Sequence, residues 1–250
     1  LLSPKMQFVG LQNFQALFAD QQFWQTFVNT VIYTLFVVGL GVTLGLFVAV
    51  YLKEHTKTNG FIQAVIFSPY VVSLASVALL WMWIMNKDYG LLNSILGFFD
   101  IGAVDWLGDS HVALVSLILI SVWKSVGYDA LILVSAIQGI PAHLYEAARL
   151  DRAGSWTTFR KITLPMISPT LFFLVVVDAI ASLKVFETIQ IMTAGGPQNA
   201  TNTLVFSLYQ YGFQFNKVGY AAAIGVVLLV LIAIFAIVYF RLLSNRVHYR

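Results

Sequence analysis

The sequence contains no cysteine and little charge, and each shortage removes a class of protein. Without cysteine there are no disulfides and no thiolate metal sites. Charged residues make up 10% of the 250 positions and hydrophobic ones 59%. A soluble domain carries about a quarter charged residues and about half apolar ones. The mean hydropathy of +0.83 points the same way, to a polytopic membrane protein. His55, His111, His143 and His248 are scattered, without metal-ligand spacing. No G-x-x-x-x-G-K-S/T segment is present, so the chain has no phosphate cradle of that kind. H-E-x-x-H and G-x-S-x-G are missing too, which leaves a membrane-embedded enzyme without support. No apolar run ending in a small-residue cleavage site opens the sequence.

What is present is a series of long apolar runs. A spanning helix needs about 20 apolar residues, and the runs 26–52, 61–85, 111–137, 168–192 and 218–240 meet that length. In lipid each backbone polar group must be satisfied within its own segment, so these runs are predicted helices in an all-α bundle. Residues 1–25 read as an external lead-in. There Leu11, Phe14, Leu17 and Phe18 share a face expected to lie along the membrane interface, and Asp20 suits the N-cap of the first span. Residues 26–243 read as the membrane domain and 244–250 as a tail.

Basic residues orient the chain. The connections 53–60, 138–167 and 241–250 hold Lys53, Lys57, Arg149, Arg152, Arg160, Lys161, Arg241, Arg246 and Arg250. The alternate connections 1–25, 86–110 and 193–217 hold Lys5, Lys87 and Lys217. Nine against three places the first set, and the C-terminus, in the cytoplasm. Five spans then put Leu1 outside, and the expectation is a sixth helix before it.

The connection 138–167 is polar and bracketed by Pro141 and Pro169. It cannot cross a bilayer, yet it joins two segments that can. Pro141 suits the first turn of a helix. Gly154 reads as a stop, Ser155 as the cap of a second short helix with Trp156, Phe159 and Ile162, and Leu164-Pro165 as its end. An amphipathic hairpin on lipid headgroups is one reading. Ala147 and Ala148 instead leave a nearly bare face that fits a protein groove, and Arg149, Arg152, Arg160 and Lys161 offer ion pairs.

This pattern, Glu146-Ala147-Ala148 followed by Asp151, Ala153, Phe159, Ile162 and Leu164-Pro165, resembles the EAA loop of ABC importer permeases, and the resemblance implies coupling roles for Glu146, Ala147, Ala148, Arg149, Asp151, Arg152, Gly154, Phe159, Leu164 and Pro165. In that family the loop couples the membrane subunit to an ATPase. The family has glycine where this chain has Arg152, and the expectation is a turn displaced to Gly154. Phe8-Val9-Gly10-Leu11-Gln12-Asn13-Phe14, Ser68-Pro69-Tyr70, Thr193-Ala194-Gly195-Gly196-Pro197 with Thr201 and Thr203, and Gly212-Phe213 followed by Gly219-Tyr220-Ala221-Ala222-Ala223 resemble its carbohydrate-importer branch. Asn199-Ala200-Thr201 matches a glycosylation acceptor, a tripeptide that chance supplies often.

Charges inside spans are costly, so Lys124, Asp129, Asp178, Lys184 and Glu187 are expected to face a bundle interior or a wet path. Lys184 and Glu187 are spaced for a local ion pair. Lys124 and Tyr128 share a helix face beside Ser125, and Asp178, Ser182 and Val185 fall at i, i+4 and i+7. Gly41 and Gly45 form a small-xxx-small pair. The resemblance to maltose-type permeases implies a sugar path through Tyr70, Leu74, Lys124, Ser125, Tyr128, Asp178, Ser182 and Val185.

The resemblance further implies a type I importer permease in a bacterial or archaeal cytoplasmic membrane. Its partners would be a second, homologous permease, two ABC ATPases and an extracytoplasmic binding protein, with no nucleic acid. It implies no catalysis and no cofactor on this chain, with ATP and Mg²⁺ on the ATPases, and a di- or oligosaccharide as cargo. sn-Glycerol 3-phosphate is the alternative cargo within that machinery. An ion-coupled secondary transporter is a more remote alternative, one for which no inverted repeat is visible.

Overall fold

The structure, a computed structural model, describes residues 8–243. Lys5, Arg246, His248, Arg250 and the tail 244–250 lie outside them. The described residues contain helices and no strand: α1 Gln12–Ala19, α2 Gln21–Leu52, α3 Lys57–Val71, α4 Leu74–Ile84, α5 Leu91–Phe98, α6 Ala113–Gln138, α7 Ala142–Leu150, α8 Ser155–Thr158, α9 Leu164–Met166, α10 Ser168–Leu183, α11 Glu187–Met192, α12 Leu204–Tyr209 and α13 Val218–Leu243. Four stretches, Gln21–Leu52, Ala113–Gln138, Ser168–Met192 and Val218–Arg241, are long and apolar enough to span a bilayer, or five if α3 and α4 count together.

Two apolar runs that read as single spans are broken. Within 61–85 the helix stops at Val71, and Val72 (φ −68°, ψ 141°) and Ser73 (φ −56°, ψ 138°) are extended. Pro69, two residues earlier, cannot donate to the helix, and Ser73 Oγ accepts from the Ser76 N–H at 3.3 Å to cap α4. Within 168–192 the helix stops at Leu183 and restarts at Glu187. Val185 therefore falls in the break, and the stripe expected to continue from Asp178 does not reach it. For the same reason the Lys184–Glu187 ion pair is not formed. Both side chains are exposed on this chain.

The chain divides into two compact units. The first comprises Leu1–Leu35, Ser73–Ile120 and Ile180–Phe235. Its core joins Leu17, Phe23, Leu204, Ala223 and Ile224, with Phe14 packed against them. Leu17 is thus buried in protein, and α1 does not simply float at an interface, although Leu11 and Phe18 remain exposed. Asp20 caps α2 as its type suggests: its Oδ1 accepts from the Gln22 N–H at 2.9 Å. The segment 193–204 is held by side chains. Asn29 Nδ2 donates to the carbonyls of Asn199 (2.9 Å) and Asn202 (3.1 Å), and Thr30 Oγ1 accepts from the Leu204 N–H at 3.0 Å.

The second unit comprises Phe36–Val72, Ser121–Ala179 and Ala236–Arg250. Its core gathers Val42, Ala49 and Leu52 of α2, Leu133, Val134 and Ile137 of α6, and Leu174 of α10, together with Ile140 and Ile167. Apolar side chains gain little by leaving lipid for each other, so close backbone approach does the packing. Gly41 and Gly45 supply it, as the small-xxx-small spacing suggests. A Cβ added to Gly45 would sit 2.6 Å from Asp129 Cβ, and one on Gly41 3.1 Å from Ser125 Oγ. Gly127 does the same against α3, where an added Cβ would strike the Ile66 carbonyl.

Candidate functional site: a proline-bounded loop and a polar seam in one unit

In the second unit α7 begins after Pro141, its N-cap, and ends in a closed turn. The Arg152 N–H donates to the Arg149 carbonyl (3.0 Å) and the Ala153 N–H to the Ala148 carbonyl (2.8 Å). Arg152 itself is left-handed, at φ 52°. This is the Schellman arrangement, which usually takes glycine at that position. The turn expected at Gly154 is therefore not displaced. It stays at Arg152, while Gly154 (φ −65°, ψ 157°) is the extended N-cap of α8, the role expected of Ser155.

Leu164-Pro165 does not end the second helix either. A π-helical turn over Phe159–Thr163 carries α8 into α9, with the Leu164 N–H bonded to the Phe159 carbonyl. Widening the helix there lets the chain pass Pro165, whose ring would otherwise meet the Lys161 carbonyl. The interruption falls at Ile167.

Exposure divides the loop. Glu146, Ala147, Arg149, Asp151, Arg152, Gly154 and Arg160 are exposed, and Phe159, Leu164 and Pro165 are half-buried. Ala148 is buried against this chain, so the bare face expected of Ala147 and Ala148 together reduces to Ala147. The apolar groups offered outward are Leu150, 85% exposed, and Trp156, 71% exposed and stacked on Phe159 at 5.6 Å.

Behind the loop lies a cleft of about 650 Å³ lined by Lys53, Glu54, His55, Tyr145, Glu146 and Arg149, among others. The connection after α2 is tied into it. Gln138 Nε2 donates to the Lys53 carbonyl (2.9 Å), Lys53 Nζ lies over the Tyr145 ring (5.8 Å), and Tyr145 OH bonds Thr163 Oγ1 (3.0 Å). Sequence reasoning grouped Lys53 with this loop by charge alone and did not place it in one site.

Within the apolar part of the same unit, α6 and α3 bring polar groups together. The rings of Tyr70 and Tyr128 stack at 4.5 Å and 13°. Lys124 Nζ donates to the carbonyls of Pro69 (3.0 Å), Tyr70 (3.0 Å) and Val72 (2.8 Å), and lies 5.6 Å from the Tyr70 ring. These are carbonyls that the break after Val71 leaves without helical partners. All three ammonium protons are used in capping them. Ser125 Oγ donates to the Val122 carbonyl at 3.3 Å. Asp178 is close enough to Tyr128 and Asp129 to couple electrostatically with both. Asp129 is fully buried, and neither of its oxygens, nor Asp178 Oδ2, has a hydrogen-bond partner among the described residues.

The other expected path residues belong to the first unit. Leu74 opens α4, Ser182 is buried near the end of α10, and the Val185 carbonyl accepts from Thr203 Oγ1 at 3.4 Å.

Residues 41–249 match the family described as binding-protein-dependent transport system inner membrane component. A probable ABC transporter permease protein, YurN, of Bacillus subtilis (strain 168) is 39% identical over 92% of this chain and 80% of its own length. The sn-glycerol-3-phosphate transport system permease protein UgpA of Pectobacterium atrosepticum is 35% identical over 98% of this chain and 83% of its own. The trehalose/maltose transport system permease protein MalF of Thermococcus litoralis is 34% identical over 95% and 80%. Among solved structures, a chain of a bacterial ABC transporter importing the acidic polysaccharide alginate superposes with a TM-score of 0.84 at 26% identity, over 95% of this chain and 85% of that one. The chain is a multi-pass membrane protein, and it belongs to the family of binding-protein-dependent transport system inner membrane components.

Proposed function

We propose that this chain is the permease subunit that forms half of the translocation path of a carbohydrate ABC importer. The single observation that carries the reading is the loop from Glu146 to Pro165, with its Schellman turn and its outward Leu150 and Trp156, in a chain of this family. The loop seats in a cytoplasmic ATPase, two copies of which hold ATP and Mg²⁺, while this chain performs no chemistry and carries no cofactor. A binding protein delivers the solute from outside, a second permease completes the path, and the C-terminus is cytoplasmic.

The cargo is a di- or oligosaccharide. Tyr70 and Tyr128 present a stacked aromatic surface suited to the C–H faces of a sugar, with Asp178 and Ser125 nearby for its hydroxyls. Leu74, Ser182 and Val185 join the path on resemblance alone. The UgpA relatives favour sn-glycerol 3-phosphate as a second reading. Lys124 is the one cation among these path residues, and it has no donor left for a phosphate.

The test is the reconstituted complex with its binding protein, screened for the solute that stimulates ATP hydrolysis, with cross-linkers placed at Ala147. Capture of an ATPase subunit and stimulation by a neutral oligosaccharide are expected. No ATPase capture overturns the coupling assignment, and stimulation by glycerol 3-phosphate alone overturns the cargo.

A further inference from the structure

The first unit contains a polar cavity of its own, lined by none of the residues of the seam or loop just described. Its volume is about 220 Å³, and its lining includes Asp20, Phe23, Asn202, Gln210, Tyr211 and Phe215. That is room for several waters at ~30 Å³ each, and less than the ~300 Å³ at which drug-sized pockets begin. Most of its polar groups are already tethered. Asp20 accepts from the Gln22 N–H (2.9 Å) and from Tyr220 OH (2.8 Å), and Asn29 fixes the main chain at Asn199 and Asn202. Asn202 is the exception. It is 6% exposed, its Nδ2 makes two long contacts at 3.4 Å to Asn199 Oδ1 and Gln210 Oε1, and its Oδ1 has no partner among the described residues. A buried amide oxygen left unpaired is unfavourable by about 1–3 kcal/mol, so the site is built to receive a donor.

We infer that this cavity binds one ring of a neutral sugar or a polyol of similar size. A hydroxyl donates to Asn202 Oδ1, and others meet Gln210 and the Asp20 carboxylate. The rings of Phe23, Tyr211 and Phe215 supply apolar walls for C–H groups. Burial, and then the charge of Asp20, hold the Tyr211 phenol above its ordinary pKa, so it meets the ligand as a neutral hydroxyl. The ligand is not an anion, because the one charged lining group is the Asp20 carboxylate. A sugar is favoured over a cation by the aromatic walls and by the Asn202 and Gln210 amides, while the two hydrogen bonds to Asp20 leave lone pairs for a hydroxyl donor. The lining residues come from the connections before α2 and around α12, which the basic-residue count assigns to the outer face. The cavity is therefore an outer docking point, separate from the path through Tyr128. The inference goes beyond the importer reading and can fail without it.

The test uses the assembled importer in nanodiscs, with D-glucose, glycerol and sn-glycerol 3-phosphate as probes read by saturation-transfer NMR. Glucose transfer is expected in the wild type, with little from glycerol 3-phosphate. Asn202→Leu should lower the glucose affinity roughly tenfold, as expected for a hydrogen bond lost in a buried site. Gln210→Ala, at a half-buried position, provides a second variant should the first fail to assemble. Tyr128→Ala removes any share of the signal that arises at the seam and leaves the share that Asn202→Leu removes. The inference is overturned if glucose gives no transfer, if both cavity variants bind as the wild type does, or if Tyr128→Ala alone removes the signal. The last result would move the ligand to the seam and leave the importer reading standing.

Discussion

The Ala153 N–H reaches the Ala148 carbonyl at 2.8 Å because the residue between the helix end and Ala153, Arg152, turns left-handed. A residue with a Cβ is unfavourable in that conformation by about 1–2 kcal/mol, and glycine is not. Arg152→Gly should therefore stabilise the chain, by about 1 kcal/mol after glycine's own unfolded-state entropy is counted. The check is the thermal half-life of the detergent-solubilised complex, which should lengthen. A shortened half-life would show that the Arg152 side chain contributes more than its backbone loses.

Lys124 should be required for integrity more than for selectivity. Replaced by Met, it leaves the carbonyls of Pro69, Tyr70 and Val72 without a donor in an apolar surround. The Pro69 carbonyl, the part-buried one of the three, is then unpaired, which is unfavourable by about 1–3 kcal/mol. Lys124→Met is expected to reduce recovery of assembled complex several-fold, and Lys124→Arg to restore most of it. Normal recovery with a changed solute preference would return Lys124 to the path as a ligand-binding group.

The sequence made the helices, the loop and the family resemblance legible, and the reasons are physical. Apolar runs of spanning length have one solution in lipid, and the spacing from Glu146 to Pro165 is specific. The break after Val71 was hidden because it does not change hydropathy: Val72 and Ser73 are as compatible with a span as with a kink. The break after Leu183 did carry a signal, Lys184 and Glu187, which also reads as an ion pair on an unbroken helix. Pro69 was the available signal, and Lys124 was its complement, since a lysine within a span needs acceptors and a broken helix supplies them. The left-handed Arg152 was not legible either, because the local backbone hydrogen bonds set the turn and side-chain preference yields to them. Asp129 carried a signal that was left out of the path: Gly41 and Gly45 lie four apart on α2, and the aspartate packs where their missing side chains would be.

Gly45 offers a direct test of the α2–α6 approach. A Cβ at Gly45 would sit 2.6 Å from Asp129 Cβ and 3.2 Å from the Ala130 nitrogen, both on a rigid helix. Overpacking of that kind is destabilising by about 1–3 kcal/mol. Gly45→Ala should lower the complex's thermal stability and Gly45→Val should prevent assembly. Gly39→Ala, with nothing within 4 Å of the added Cβ, should do neither. Equal behaviour of the two alanine variants would mean that the helices can part at no cost.

Leu150 and Trp156 separate coupling from folding more cleanly than the charged residues that flank them. Both are large, apolar and exposed, and neither belongs to this chain's buried core. Exposed aromatic anchors at an interface centre typically carry 2 kcal/mol or more, about 30-fold in affinity. Surface ion pairs such as those open to Arg149 or Arg160 carry about 0–1 kcal/mol. Trp156→Ala should therefore weaken binding of the ATPase subunit by about 30-fold, with Leu150→Ala weaker in effect and Arg160→Ala smaller still. Titration of the ATPase onto the reconstituted permease, read as fluorescence anisotropy, gives all three numbers. The order matters more than any one value. If Arg160→Ala exceeds Trp156→Ala, the contact is electrostatic, its affinity must fall steeply with salt, and the apolar pair on the loop faces lipid headgroups instead of a protein groove.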